Sequence, residues 1–146
     1  MLVERLRRLL PALWAGVLLC LAAGAAPAAF DLLERAEAGR LVGRLLAQEA
    51  WLSLVLAVAL LAIERGRARA AAAAGLGLVL SANMLLLLGT LFCTVAGYFA
   101  LQPMMVAARA GQGSLSFGQL HLISASFFAL KGLMVLALAW RAAKPA

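Results

Sequence analysis

Four apolar runs, almost free of charge and each close to the length of a membrane span, constrain this chain more than any other feature. Leu9–Phe30 and Leu76–Leu101 contain no charged residue. Leu45–Ile63 contains only Glu49, and Leu120–Trp140 contains only Lys131 and the titratable His121. An α-helix rises about 1.5 Å per residue, so about 20 such residues cross a hydrocarbon layer of about 30 Å. A soluble helical protein would set polar faces against apolar ones, and these runs do not. The expected fold class is therefore all-α: an integral membrane bundle of four transmembrane helices, with the lipid bilayer as its first partner. The spans fall at about 9–30, 45–63, 76–101 and 120–140, within a single transmembrane domain, 1–146.

The hydrophobic share, 66%, agrees with that reading, and 146 residues of mostly span leave no room for a soluble catalytic domain. A formal charge of +7 would suggest nucleic acid in a soluble protein. Here the basic residues sit beside membrane spans, where they set orientation, so no nucleic-acid partner is expected. Arg5, Arg7 and Arg8 precede the first span, Arg65, Arg67 and Arg69 lie between the second and third, and Arg141 and Lys144 follow the fourth. In the other two connections Arg35 and Arg40 are offset by Asp31, Glu34 and Glu37, and Arg109 stands alone. The positive-inside rule then places both termini and the middle loop in the cytoplasm. The Leu, Ala, Gly and Arg bias suggests the inner membrane of a GC-rich bacterium. The basic start followed by an apolar stretch imitates a secretory signal, but the stretch exceeds the ~7–15 residues of a signal core. It is expected to stay as the first span.

The connections carry their own patterns. From Asp31 to Arg44, polar residues alternate with Leu32, Leu33, Ala36, Leu41 and Val42 at helical spacing. This reads either as an amphipathic helix on the outer surface or as an extension of the second span. The stretch from Gln102 to Gln119 holds Pro103, Gly111, Gly113 and Gly118 and reads as irregular. Ala68–Ala74 should continue a helix beyond the second span.

Two spans share a ridge of small residues. Gly16, Cys20 and Gly24 in the first repeat as Gly89, Cys93 and Gly97 in the third. Such ridges let helix backbones approach in lipid, where van der Waals contact must supply the association energy. Packing is the plain reading of all six residues, within the bundle, against a second copy, or against another membrane protein. A Cu(I) site at the thiols is the sharper alternative; no metal and no cofactor is assigned.

The intramembrane polar residues are the candidate site. Lys131 lies near the middle of the fourth span, where a charge costs about 2.5–3.5 kcal/mol on insertion scales, so it should face the bundle and find a partner. His121, Ser124, Phe128 and Lys131 share one helix face. The third span offers Asn83, Thr90, Thr94 and Tyr98, and the second offers Glu49 and Ser53 one turn apart. By depth, Lys131 can meet Asn83, Glu49 can meet His121, and Glu49 can also reach toward Lys131. Glu49, Asn83, His121, Ser124 and Lys131 therefore define a polar interhelical site, either a solute pathway or a set of bonds that fix the bundle.

The segments Ser81–Met105 (SANMLLLLGTLFCTVAGYFALQPMM), Phe117–Trp140 (FGQLHLISASFFALKGLMVLALAW) and Ala38–Trp51 (AGRLVGRLLAQEAW) resemble bacterial members of domain-of-unknown-function family 4149. That family is similar to eukaryotic transmembrane protein 205. The resemblance implies a compact four-span protein and no particular reaction. His121 and Ser124 match its polar positions at the start of the last span, and Asn83 the polar position in the third.

Enzyme templates fit poorly. One histidine rules out a bis-histidine haem or a three-histidine zinc site within the chain. No nucleophile elbow or phosphate-cradling glycine loop occurs, and Ser124 is two turns from Lys131, too far to be activated by it directly. The expected function is non-enzymatic: handling of a small solute or metal ion at the polar site, or, alternatively, structural and assembly work with other membrane proteins.

Overall fold

The computed structural model describes residues 1–144, and among these every regular element is helical. The first span joins α1 (Leu2–Cys20) to α2 (Ala26–Leu32) through a π-helical turn, Leu21–Ala25. The second is one long helix, α3 (Arg35–Ala73). The third joins α4 (Ala82–Thr94) to α5 (Leu101–Arg109) through a second π-helical turn, Val95–Ala100, and the fourth is α6 (Phe117–Ala142). All four are long and apolar enough to cross a membrane.

The breaks follow from local chemistry. Pro27 and Pro103 each lie just after a π turn. A proline ring crowds the carbonyl four residues earlier, here Ala23 and Phe99, and lacks the N–H that would bond it. The wider π spacing gives the ring room; Pro11, nearer the start of α1, is carried without one. The ends of α3 and α5 close in the same way. Gly75 (φ 70°) and Gly111 (φ 74°) take the left-handed conformation that a residue with Cβ avoids. The N–H of Leu76 then bonds Ala71 O at 2.8 Å, and that of Gln112 bonds Ala107 O at 2.9 Å, a Schellman closure in both cases. Ser81 caps α4 through Met84 N, and Ser116 with Gln119 forms a capping box on α6.

Around the bundle α1 packs on α6, α6 on α4, and α4 on α3, while α2 leans on α3 and α5 on α6. The main core lies in the half that holds the termini: Trp14, Ala15, Leu18, Ala57, Leu60, Leu87, Val135 and Leu138. A smaller cluster, Leu101, Met105 and Leu120, ties α5 to α6 at the far end. Beyond the main core an ion-pair network latches α1 to α3. Glu4 accepts from Arg7, Arg8 and Arg67, with Arg67 at 2.8 Å, and Arg7 also faces Glu64 at 3.6 Å.

Three expectations from the sequence change. The third helix starts at Ala82 rather than Leu76, because the glycines that close α3 consume the start of that apolar run. The stretch expected to be irregular is helical as far as Arg109: Pro103 is carried inside the third span because the π turn before it makes room for the ring. The two alternatives for Asp31–Arg44 resolve into α2 as far as Leu32, a break at Leu33 and Glu34, and then the extension of the second span.

Candidate functional site

A buried polar chain crosses three helices near mid-span. Lys131 Nζ, from α6, donates to both carboxylate oxygens of Glu49 on α3, at 2.7 and 2.8 Å. Ser53, one turn along α3, donates its hydroxyl to Glu49 Oε1, and the indole N–H of Trp14 on α1 donates to Ser53 Oγ at 2.9 Å. Both ion-pair side chains are 4% exposed. The Phe128 ring lies 5.0 Å from Lys131 Nζ, within cation–π range. A charge taken out of water needs an opposite charge and filled hydrogen-bonding positions, and this arrangement supplies both. No buried side-chain nitrogen or oxygen among the described residues lacks a partner.

The ion pair floors a cavity of about 650 Å³ that occupies the far half of the bundle, a size common for small-molecule sites (~300–1,000 Å³). α3 contributes one face, Arg35, Gly39, Val42, Gly43, Leu46 and Glu49, spaced at helical repeats. The first span contributes Leu21, Ala22, Ala26 and Phe30; the third contributes Cys93, Thr94, Gly97, Tyr98 and Gln102; and α6 contributes Phe117, His121, Ser124, Ala125 and Phe128. Both π turns border the cavity, as such turns often border functional sites. Arg35 and Arg109 stand at its far rim, with Arg109 stacked 4.4 Å over the Phe117 ring and Phe117 stacked on His121.

The five candidate polar residues separate into three groups. Glu49 and Lys131 meet. Ser124 and His121 line the cavity above them, with Ser124 donating to Gly97 O at 2.6 Å inside the second π turn, and His121 against Phe117 rather than Glu49. Asn83 lies elsewhere: its side chain accepts from Arg141 Nε at 2.6 Å near the termini. A helix beginning at Leu76 would carry Asn83 toward mid-span, but α4 starts at Ala82, so Asn83 sits at the helix end. Lys131 is ten residues from Arg141, about 15 Å away along α6. Thr90 and Thr94 are satisfied by carbonyls of their own helix, Leu87 and Thr90.

The two small-residue ridges also diverge. A Cβ at Gly89 would meet the sulfur of Met134 at 2.7 Å, and one at Gly97 would overlap Phe127 Cβ, so these glycines and buried Cys93 set the approach of the third span to α6. Gly16 and Gly24 have nothing within 4 Å, and Cys20 is exposed: that ridge faces away from the bundle. Trp14, Arg35 and Arg109 are the residues the sequence reading passed over. Trp14 carried a signal, since a buried indole N–H needs an acceptor. The two arginines carried none, because their charge served equally as a topology marker.

The fold and site define a four-span helical membrane protein with a cavity in one half. The chain belongs to the family described as Domain of unknown function (DUF4149), whose model it matches over residues 9–114. That match covers the first three spans and ends before α6, which supplies Lys131. No curated protein and no solved structure matches the chain.

Proposed function

We propose that this is a non-enzymatic multi-pass protein of a bacterial inner membrane that takes a small solute into the cavity between its helices. The observation that carries the reading is the cavity itself, about 650 Å³ with a buried ion pair at its base. A bundle needing only tight packing would fill that volume with side chains, as its other half does. Arg5, Arg7, Arg8, Arg65, Arg67, Arg69 and Arg141 gather at the end that holds the termini, which supports a cytoplasmic placement of that end. The likeness to transmembrane protein 205 belongs to the same reading. A metal ion is less well supported as the solute, since no three His, Cys, Asp or Glu side chains gather among the described residues.

The second reading is assembly with another membrane protein or a second copy, and the outward ridge of Gly16, Cys20 and Gly24 favours it. Growth competition across a panel of salts and small solutes, using a strain that lacks the chain, separates the two. Under the cavity reading, a folded variant that fills the cavity, Gly39→Leu/Gly43→Leu, fails to restore fitness and Gly16→Leu/Gly24→Leu restores it. The reverse pattern overturns the cavity reading in favour of assembly.

A further inference from the structure

The cavity separates its charge from its apolar surface, and that separation describes a ligand. At the floor Glu49 and Lys131 spend their polar atoms on each other and are almost fully covered. The deep walls are mostly apolar, Leu21, Leu46, Cys93, Gly97 and Phe128, with Tyr98 beside them. At the rim, Arg35 and Arg109 are in no ion pair among the described residues. The acids of that end turn elsewhere: Asp31, Glu34 and Glu37 do not line the cavity, and Glu37 faces Arg40 on the exposed side of α3. Arg35 also occupies the first turn of α3, whose dipole adds positive potential.

The cavity is also open toward lipid. The first span packs on α6 through α1, but beyond the π turn α2 leans on α3 instead. Ala22 on one side of that gap and His121 and Ala125 on the other are cavity-lining and exposed at once. From Arg35 to Glu49 along α3 is roughly 20 Å at 1.5 Å per residue, the reach of one extended acyl chain. A compact polar solute would meet the side chains of Tyr98, Gln102 and His121 on one side, but otherwise apolar deep walls. An apolar chain with an anionic head would fill them and neutralise the rim.

We propose, resting on the reading of the cavity as a ligand site, that its occupant is a single-chain anionic lipid, a fatty acid or lysophospholipid, entering between α2 and α6. The head lies between Arg35 and Arg109, and the chain runs down to Phe128 above the ion pair. The test uses the full chain with Trp51→Phe and Trp140→Phe, so that Trp14, bonded to Ser53 beneath the floor, is the reporter. The protein is placed in phosphatidylcholine vesicles and titrated with a long-chain fatty acid brominated at its terminal carbon. Saturable quenching of Trp14 is expected. The brominated methyl ester, and the acid with Arg35→Gln/Arg109→Gln, should each need about tenfold more for half effect, as loss of charged hydrogen bonds implies. Equal potency of acid and ester, or no effect of the arginine pair, overturns the proposal. Absent quenching while a charged thiol reagent still reacts at Ala125→Cys, in a Cys20→Ser/Cys93→Ser background, overturns the lipid and leaves the cavity reading standing. Absent quenching with Ala125→Cys also unreactive overturns both.

Discussion

The two halves of this bundle use the same apolar vocabulary to opposite ends. Toward the termini, Trp14, Leu18, Leu60, Leu87 and Val135 interlock with almost no exposed surface, and an ion-pair network closes the end. Toward the far end, two π turns and the break at Leu33 draw the helices apart around a cavity of about 650 Å³. The Glu49–Lys131 pair lies at the boundary. Packing in lipid depends on which residues approach, not on their hydropathy, because lipid tails are as apolar as leucine. The difference between the halves is therefore one of backbone path and side-chain size.

The largest expected effect is at the boundary. Lys131→Met strands the Glu49 carboxylate and should cost about 3–5 kcal/mol in denaturant unfolding, while adding Glu49→Gln should recover most of the loss. A neutral single variant would mean that the charge has another outlet and that the boundary is not dry. Next comes a matched pair of truncations. Leu87→Ala in the packed half should cost about 2–5 kcal/mol, whereas Leu46→Ala, already beside empty space, should cost under about 1 kcal/mol. Equal losses would erase the contrast between the halves.

Much of this architecture was legible in the sequence, and the gaps have physical causes. Apolar runs report burial in lipid, so the four spans could be read from them. The ends of α3 and α5 depended on glycines taking positive φ, which shifted the start of the third helix and displaced Asn83 from the site. Lys131 announced itself because charge at mid-span is costly, and Glu49 was one of the partners within reach. The cavity was not legible, because Leu46 or Phe128 facing a void has the same hydropathy as a leucine facing lipid. The two glycine ridges teach the same point: spacing says what could approach, and only the fold says what does.

That contrast can be tested directly. Gly97→Ala pushes against Phe127 and should cost about 1–3 kcal/mol, while Gly24→Ala, with open space around it, should stay within about 0.5 kcal/mol. The smallest effect belongs to the ion-pair network. Hydrogen bonds from Arg7 and Arg8 hold the Glu4 carboxyl at about 2 instead of 4.5. A depressed carboxylate contributes above its ordinary value and loses that contribution as it protonates. Unfolding temperature should therefore fall slightly as pH drops from 4.5 toward 2, and this component should vanish in Glu4→Gln and weaken with salt.

The central claim, that one half is packed and the other open, is tested most directly on α3, which runs through both. In a background with Cys20 and Cys93 replaced by serine, Leu46→Cys and Leu60→Cys place single thiols in the cavity and in the core. Their reaction rates with a small membrane-permeant maleimide, measured in vesicles, should differ by about a hundredfold or more, with Leu46→Cys the faster, as expected for a thiol that reacts without local unfolding. Similar slow rates at both positions would contradict the account.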